Sequence, residues 1–173
     1  MDARSEFMIP FVGLKNGKHL FEFSIDHTFF EAFSFFDFKH PRFEVVAKLD
    51  KKEQMLEFEL EANGKVGVVC DLSMEPFDIS LQPKFTLIVK FGAAFNYDND
   101  EILVLPHGSH QVDLSQYVYE MIVLALPPKI IHPDIATGRL KSPVLDKLKE
   151  LAPKEENPQQ EYDPRWDKLK DLL

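Results

Sequence analysis

Cysteine is almost absent from this sequence, which has Cys70 alone among 173 residues. A single thiol excludes an internal disulfide, and it falls short of the four ligands that a structural zinc site takes, commonly from two cysteine pairs. Cys70 begins a segment with the spacing of a Cys-x-x-Cys pair, in which Ser73 stands at the second position. We therefore expect a protein of a reducing compartment, the cytoplasm, with no bound metal or other cofactor.

Basic residues and long apolar runs are also scarce. The chain has 20 Lys and Arg against 29 Asp and Glu, which makes its net charge −9. This balance argues against a protein held to nucleic acid by its overall charge, although it leaves room for a local basic surface. The sequence has no run of about 18 apolar residues, and no apolar stretch follows a basic start. We therefore expect neither a membrane span nor a signal peptide.

Motifs that carry catalysis are missing as well. The chain has 7 glycines, and none belongs to a G-x-x-x-x-G-K phosphate-binding loop. No nucleophile stands at a useful spacing from a base, and no pair of carboxylates is placed for acid–base chemistry. The sequence therefore predicts no catalytic residue and a protein that is not an enzyme.

What the chain does have is aromatic bulk. Hydrophobic residues make up 45% of the sequence, and 16 residues are phenylalanine. Aromatic side chains favour pleated, half-buried surfaces, so this composition indicates a sheet-rich core. From length and composition we predict a single domain over residues 1–152, a polar linker over 153–162 and a C-terminal docking helix over 163–173.

The pattern of apolar residues predicts an antiparallel sheet. Apolar and acidic residues alternate strictly over 56–61, which is typical of a strand with one buried face. Asn63-Gly64 then predicts a tight hairpin turn into a second strand at 66–70. A neighbouring strand is expected at 42–49 and a long extended stretch at 77–91, interrupted at Pro83. Consecutive hairpins of this kind favour an antiparallel sheet that is curled.

Helix signals surround this sheet in the sequence. Thr28 and Glu31 form a capping box for a short helix, and Asp113 can cap an apolar helix that ends before Pro127. We expect the 113–126 helix to pack on the sheet. Ser142-Pro143 predicts another short helix, which would turn Leu145, Leu148 and Leu151 inward. The fold class is therefore α+β, with one packed amphipathic helix and short C-terminal helices.

Three segments, in this order, resemble the YceD-like family of large ribosomal RNA subunit accumulation proteins, which occur in bacteria and plastids. Residues 70–77 correspond to the family's Cys-x-x-Cys followed by Pro-Phe. Residues 113–127 share its acidic helix start and its Leu-Ala-Leu-Pro ending, and residues 163–169 carry Asp-Pro-Arg-Trp-x-x-Leu. The resemblance spans about residues 55–173.

The chain departs from the family where a metal would be expected. Many members have further cysteines soon after the Leu-Pro, but this stretch is Pro-Lys-Ile-Ile-His-Pro-Asp over 128–134. Cys70 and His132 alone remain at ligand-like positions, which is too few for structural zinc. The resemblance thus implies the fold and the process without the metal. The process is the synthesis, processing or stability of large-subunit rRNA, served by a non-enzymatic ribosome-biogenesis factor.

Two segments are candidates for contact with a partner. Residues 127–149 carry five basic and two acidic residues, and their net charge of +3 stands out in an acidic chain. Ordinary solvated surface charge explains this segment slightly better than a binding surface does, because its basic residues are dispersed. The tail has an apolar helical face that could dock on its own sheet or in the groove of a partner. The residues that we predict to make contact are Lys129, Arg139, Lys141, Arg165 and Trp166.

The partner implied is pre-ribosomal RNA or a ribosomal or assembly protein, and the acidic charge favours a protein. No membrane partner is expected, and the oligomeric state stays open. Two other functions remain possible from the sequence: a protein-interaction adaptor acting through its C-terminal helix, and a small-ligand-binding barrel.

Two further residue groups have a functional and a structural interpretation. Cys70 is either a reactive thiol or residual ligand, or a small core residue at the end of a strand, and we favour the core residue because no neighbouring base would lower its pKa. His107 and His110 have a metal-like His-x-x-His spacing, but the Gly-Ser between them is typical of an exposed loop. We favour the loop.

Overall fold

The structure, a computed structural model, describes residues 5–93, 95–99 and 101–152. The chain divides into two compact units, and the boundary between them falls between Pro133 and Asp134. The predicted linker (153–162) and docking helix (163–173) lie outside the described residues. The predicted domain plan therefore stays a prediction.

The described residues form nine strands, four α-helices and one short 3-10 turn at Ser5–Phe7. The helices are α1 (His27–Glu31), α2 (Ser115–Leu124), α3 (Pro133–Ala136) and α4 (Pro143–Leu151). The strands are β1 (Met8–Pro10), β2 (Gly17–Ile25), β3 (Lys39–Lys51), β4 (Met55–Val69), β5 (Pro76–Leu81), β6 (Lys84–Gly92), β7 (Asn96–Asn99), β8 (Ile102–Pro106) and β9 (Gln111–Asp113).

The main sheet is mostly antiparallel, which confirms the predicted α+β class. Within the described residues its strand order is β2-β3-β4-β6-β8-β7, with β5 added beside β4, while β1 and β9 pair separately. The expectation of consecutive hairpins is wrong at one place, because β8 runs parallel to β6. The chain leaves β6, forms the outer strand β7 and returns as β8 between them. That the sheet is curled stays a prediction.

The hairpin predicted at Asn63-Gly64 is wrong, because β4 runs unbroken through both residues. Its first half pairs with β6 and its second half with β5, while β3 lies along almost all of it. Gly64 lies opposite Phe43, and a Cβ at Gly64 would collide with the Phe43 ring and the carbonyl oxygen of Arg42. Glycine is required here for the close approach of a neighbouring strand, and not for a turn.

The core follows from the alternation along the strands. On β4 the side chains of Leu56, Phe58 and Leu60 are fully buried, and the intervening glutamates point to the other face. Burial of one such side chain contributes about 1.5–3 kcal/mol. Val118 and Ile122 of α2 belong to the same hydrophobic cluster as these strand residues. How α2 crosses the sheet stays a prediction.

The ends of α1 and α2 show local side-chain chemistry. At α1 the cap is Asp26, whose Oδ1 accepts from the Thr28 N–H at 2.9 Å, so this helix begins before the predicted capping box. At α2 the cap position is Leu114, which makes no side-chain cap hydrogen bond, so the predicted cap at Asp113 is wrong by one residue; Asp113 Oδ1 nevertheless accepts from the Ser115 N–H at 2.8 Å. A carboxylate at a helix start satisfies one of the free N–H groups there.

In the second unit, α4 starts as predicted but buries less than expected. The Ser142 hydroxyl accepts from the Val144 N–H at 3.3 Å, and Pro143 takes the first turn. Leu145 is buried, whereas Leu148 and Leu151 are 44% and 70% exposed, so the prediction of three inward leucines is wrong for these two. Among the described residues, no helix is both long and apolar enough to cross a membrane.

Candidate functional site

The turn between β4 and β5 is built around Cys70. Its N–H donates to the Glu75 carbonyl at 2.9 Å, and its own carbonyl accepts from the Met74 N–H at 3.0 Å. Met74 has a φ of +61°, in the left-handed region that a tight turn demands and that side chains seldom adopt. These two backbone hydrogen bonds therefore close the turn.

A segment about 60 residues further along the chain is fastened to this turn. The Asp71 N–H donates to the carbonyl of Ile130 at 2.8 Å, and the Ile130 N–H donates to Asp71 Oδ2 at 2.6 Å. The His132 ring packs against the Phe77 ring, with 4.9 Å between their centres. The sequence anticipated that Cys70 and His132 hold related positions, and the structure brings their two segments together.

The Cys70 thiol is enclosed at this junction and is 0% exposed. The His132 N–H donates to its Sγ at 3.3 Å. Burial acts to raise the pKa of the thiol, but hydrogen bonds from the Ser73 hydroxyl and from the backbone N–H groups of His132, Ser73 and Leu72 outweigh it and lower the pKa to about 7. The core position agrees with the favoured interpretation. The lowered pKa comes from the Ser73 hydroxyl and from backbone N–H groups, which the sequence analysis had not considered beside a neighbouring base.

The donor set does not fit a structural zinc ion. It offers one thiol, the hydroxyl of Ser73, and a histidine whose backbone N–H meets the sulfur while its ring packs on Phe77. Within the described ranges, no group of three or more His, Cys, Asp or Glu side chains is placed to hold a metal ion. Hydrogen bonds join the two segments here, where a zinc site would use four ligands.

The family comparison covers this site. The family model of the large ribosomal RNA subunit accumulation protein YceD matches residues 58–173, which include both the Cys70 turn and the 128–132 segment. The chain belongs to the YceD family. No curated protein matches the chain, and no solved structure does. The family match begins within β4, so β2 and β3 precede it although they share a sheet with the matched residues.

The residues predicted to contact a partner are placed only in part. Lys129 is exposed in the first unit, directly before the Ile130 that Asp71 holds. Arg139 and Lys141 are exposed in the second unit, where the Arg139 N–H donates to the Asp134 carbonyl at 3.0 Å. Arg165 and Trp166 lie outside the described residues. The predicted contact set therefore stays a prediction.

The two histidines before β9 form a loop. His107 and His110 are exposed, and between them both the N–H and the hydroxyl of Ser109 donate to the Pro106 carbonyl, at 3.1 and 2.8 Å. The His107 N–H donates to the Gly92 carbonyl at 3.0 Å, which ties the loop to the end of β6. These contacts agree with the favoured loop interpretation.

Proposed function

We propose that this protein is a non-enzymatic ribosome-biogenesis factor that supports the synthesis, processing or stability of large-subunit rRNA. The family match carries the proposal, because the family is named for accumulation of large ribosomal subunit RNA and the match spans residues 58–173. Support comes from the junction of the Cys70 turn with residues 128–132, which lies wholly inside the matched region.

The chemistry of the residues supports a binding role. The one thiol is fully buried, so a substrate has no access to it. The acidic stripe of β4 is engaged with lysines, since Glu61 contacts both Lys48 and Lys84 and Glu57 contacts Lys52. Such exposed ion pairs are structural features of a sheet surface, whereas acid–base catalysis requires groups held in a cleft.

The proposed partner is pre-ribosomal RNA or a ribosomal or assembly protein, met in the cytoplasm. Lys129, Arg139 and Lys141 are exposed and cationic, as a contact with phosphate or with an acidic protein patch requires. Together with Arg165 and Trp166 they remain the proposed contact set. The adaptor alternative depends on the segment 163–173, beyond the described residues.

Depletion of the protein tests the function directly. In cells that lack it, we expect a sucrose gradient to show a selective deficit of large subunits, and the ratio of large-subunit to small-subunit rRNA to fall. Expression of the wild-type chain should restore both. An unchanged ratio would contradict the proposed function.

The non-enzymatic part of the proposal has its own control. Because the buried Cys70 performs no chemistry in this proposal, Cys70→Ser at an equal protein level should restore the rRNA ratio as well as the wild-type chain does. A chain that is present at full level and folded, yet fails to restore the ratio, would speak for chemistry at the thiol.

A further inference from the structure

Three cationic side chains lie together on the solvent face of the sheet, where β3 begins and β4 ends. Arg42 is directly opposite Lys65, and Lys39 is opposite Gly67, two residues further along β4. Residues two apart along a strand share a face, so positions 65 and 67 point the same way. Lys39, Arg42 and Lys65 are all exposed, and we call these three the basic cluster.

A β-bulge brings the basic cluster onto one face. Lys39 and Arg42 are three residues apart on β3 while their partners on β4 are two apart, so β3 carries an extra residue between them. Without it, Lys39 and Arg42 would point to opposite faces. His40 lies within this irregularity and has a φ of +46°, which is an uncommon conformation for a residue with a side chain.

The basic cluster has no partner for its charge within the described part of the chain. None of its three side chains forms an ion pair or a side-chain hydrogen bond there, whereas Lys48 and Lys84 on the same face both bind Glu61. Two acids share this face, since Asp78 lies opposite Gly67 and Glu44 lies two residues along β3 from Arg42, but neither of these described acids forms an ion pair with the basic cluster. Like charges directly opposite each other destabilise a strand pair, and such local conflicts are expected at functional sites.

An apolar depression adjoins the basic cluster. It has a volume of about 520 Å³, and its lining is apolar, Phe36, Phe38, Val69 and Leu126 included, except for the two charged residues Asp37 and Lys39. The Phe36 side chain is 66% exposed. Among the described aromatic rings, those of Phe29, Phe30, Phe33, Phe35 and Phe38 pack on one another, but the ring of Phe36 contacts none of them. The unstacked Phe36 ring and Lys39 therefore line one depression, and Arg42 and Lys65 form the neighbouring pair on the sheet.

We propose that this surface binds single-stranded RNA, with phosphates on the basic cluster and a base stacked on Phe36 over the depression. The inference rests on the proposed function and names the partner chemistry for it. Proteins that bind single strands combine cations along the backbone path with an exposed aromatic ring that accepts the face of a base. A duplex keeps its base faces stacked inside the helix, so it cannot use Phe36.

Binding of defined RNAs to the full-length protein tests this inference. The probes are fluorescein-labelled 20-nucleotide single strands, one rich in U and one rich in A, and a 20-base-pair RNA duplex, followed by fluorescence anisotropy between 50 and 300 mM KCl. We expect the single strands to bind in preference to the duplex. Three neutralised phosphates on a single strand predict a slope of about −2 for log affinity against log salt concentration.

Two variants separate the cations from the ring. The triple variant Lys39→Gln, Arg42→Gln, Lys65→Gln should bind at least about 10-fold more weakly at low salt and lose most of the salt slope. Phe36→Ala should bind about 5- to 100-fold more weakly with the slope unchanged, because it removes one stacking contact. Phe36 is largely exposed, so this variant is expected to fold, which circular dichroism and the urea midpoint check.

Matched controls come from the same unit. Lys48→Gln with Lys84→Gln removes two cations from the same sheet face that are already paired, and Leu124→Ala removes an apolar side chain that is 81% exposed. Both should bind RNA within about 2-fold of wild type, since exposed paired charges contribute little elsewhere. Absence of binding at 50 mM KCl would overturn the inference. Equal binding by the duplex, or full binding by Phe36→Ala, would do the same.

The rRNA ratio in depleted cells distinguishes a failure of this inference from a failure of the proposed ribosome-biogenesis function. If the triple variant restores the ratio fully, the inference fails and the proposed function stands. If the protein binds single-stranded RNA through this surface but its depletion leaves the ratio unchanged, the proposed function fails and the inference stands.

Discussion

The solvent face of β4 differs between its two halves. In the first half, Glu61 lies 3.0 Å from Lys48 Nζ and 3.1 Å from Lys84 Nζ, and Glu57 lies 2.8 Å from Lys52 Nζ. In the second half the strand presents Lys65, which faces Arg42 across the strand pair. One strand therefore carries matched charges at one end and unmatched positive charges at the other.

This difference indicates which end is structural and which is available to a partner. Exposed ion pairs contribute only about 0–1 kcal/mol, yet they leave little charge for an outside ligand. The basic cluster leaves its positive charge open in a chain whose net charge is −9. A local field of that kind attracts an anion even where the whole protein repels it.

The largest effect on stability should come from changing Gly64, which lies between the two halves of β4. Gly64→Ala places a Cβ against the Arg42 carbonyl oxygen and the Phe43 ring, so β3 must move away from β4. We expect the free energy of unfolding to fall by about 2–3 kcal/mol, the usual cost of overpacking. Urea unfolding followed by circular dichroism measures it.

Gly67→Ala is the matched control for that change. A Cβ at Gly67 would lie 3.0 Å from the Lys39 Cβ and carbonyl oxygen, which a small shift relieves. Stability within about 1 kcal/mol of wild type is expected, because alanine also restricts the unfolded chain. Equal losses for the two variants would mean that close strand approach is not what requires Gly64.

An intermediate effect is expected at Cys70, where β4 ends. Cys70→Ala removes the buried sulfur that accepts from the part-buried His132 N–H, so the free energy of unfolding should fall by about 1–3 kcal/mol. The folded pKa of the thiol is about 7 against an ordinary value of 9.0, so its ionisation stabilises the fold above pH 9 and this contribution is lost as the pH falls through 7. The difference between wild type and variant should thus be larger at pH 9 than at pH 6.

Urea unfolding in the presence of a reductant, at pH 6, 7.5 and 9, checks this pH dependence. Ser73→Ala is the control, since it keeps the thiol but removes the largest of the pKa-lowering hydrogen bonds. Its stability should vary less with pH than that of wild type. A wild-type advantage over Cys70→Ala that is the same at all three pH values would argue against a lowered pKa.

The smallest effect on stability should come from removing the ion pairs of Glu61 in the first half of β4. Hydrogen bonds from Lys48 and Lys84 hold the pKa of Glu61 below its ordinary value, so its charge stabilises the fold above pH 4.5 and this contribution is lost as the pH falls further. Glu61→Gln should lower the urea midpoint slightly at pH 7 and hardly at all at pH 3. A variant as stable as wild type at pH 7 would show that these ion pairs add nothing measurable.

Much of the local structure could be predicted from sequence. The alternation over 56–61, the cap at Ser142 and the break at Pro83 rest on neighbouring residues alone, and the structure contains all three. The prediction of a hairpin at Asn63-Gly64 was wrong, because a glycine is also favoured within a strand that a neighbouring strand approaches closely. The parallel pairing of β8 with β6 was not predicted, because a local sequence pattern does not indicate the order of strands in a sheet.

At the candidate sites, too, the sequence indicated local features but not the contacts between distant segments. The sequence singled out Cys70 and His132, but it gave no reason to expect that a backbone N–H would meet the sulfur. Residues 36–42 place two phenylalanines directly before Lys39, His40 and Arg42, a local combination of aromatic and basic residues that suits single-stranded RNA and that 127–149 lacks. Nothing local indicated that a bulge would align Lys39 with Arg42, or that Lys65 would face them.

By itself the sequence determined the alternation of β4, the side of β4 that is buried and the start of α4, because those outcomes depend on contacts within a few residues. Its motifs also determined the family. Only the tertiary structure decided which charges are matched, since Glu61 finds Lys48 and Lys84 while Lys65 finds Arg42 through strand register. Register joins residues that are distant in the chain, and one extra residue in a bulge changes which face a side chain occupies.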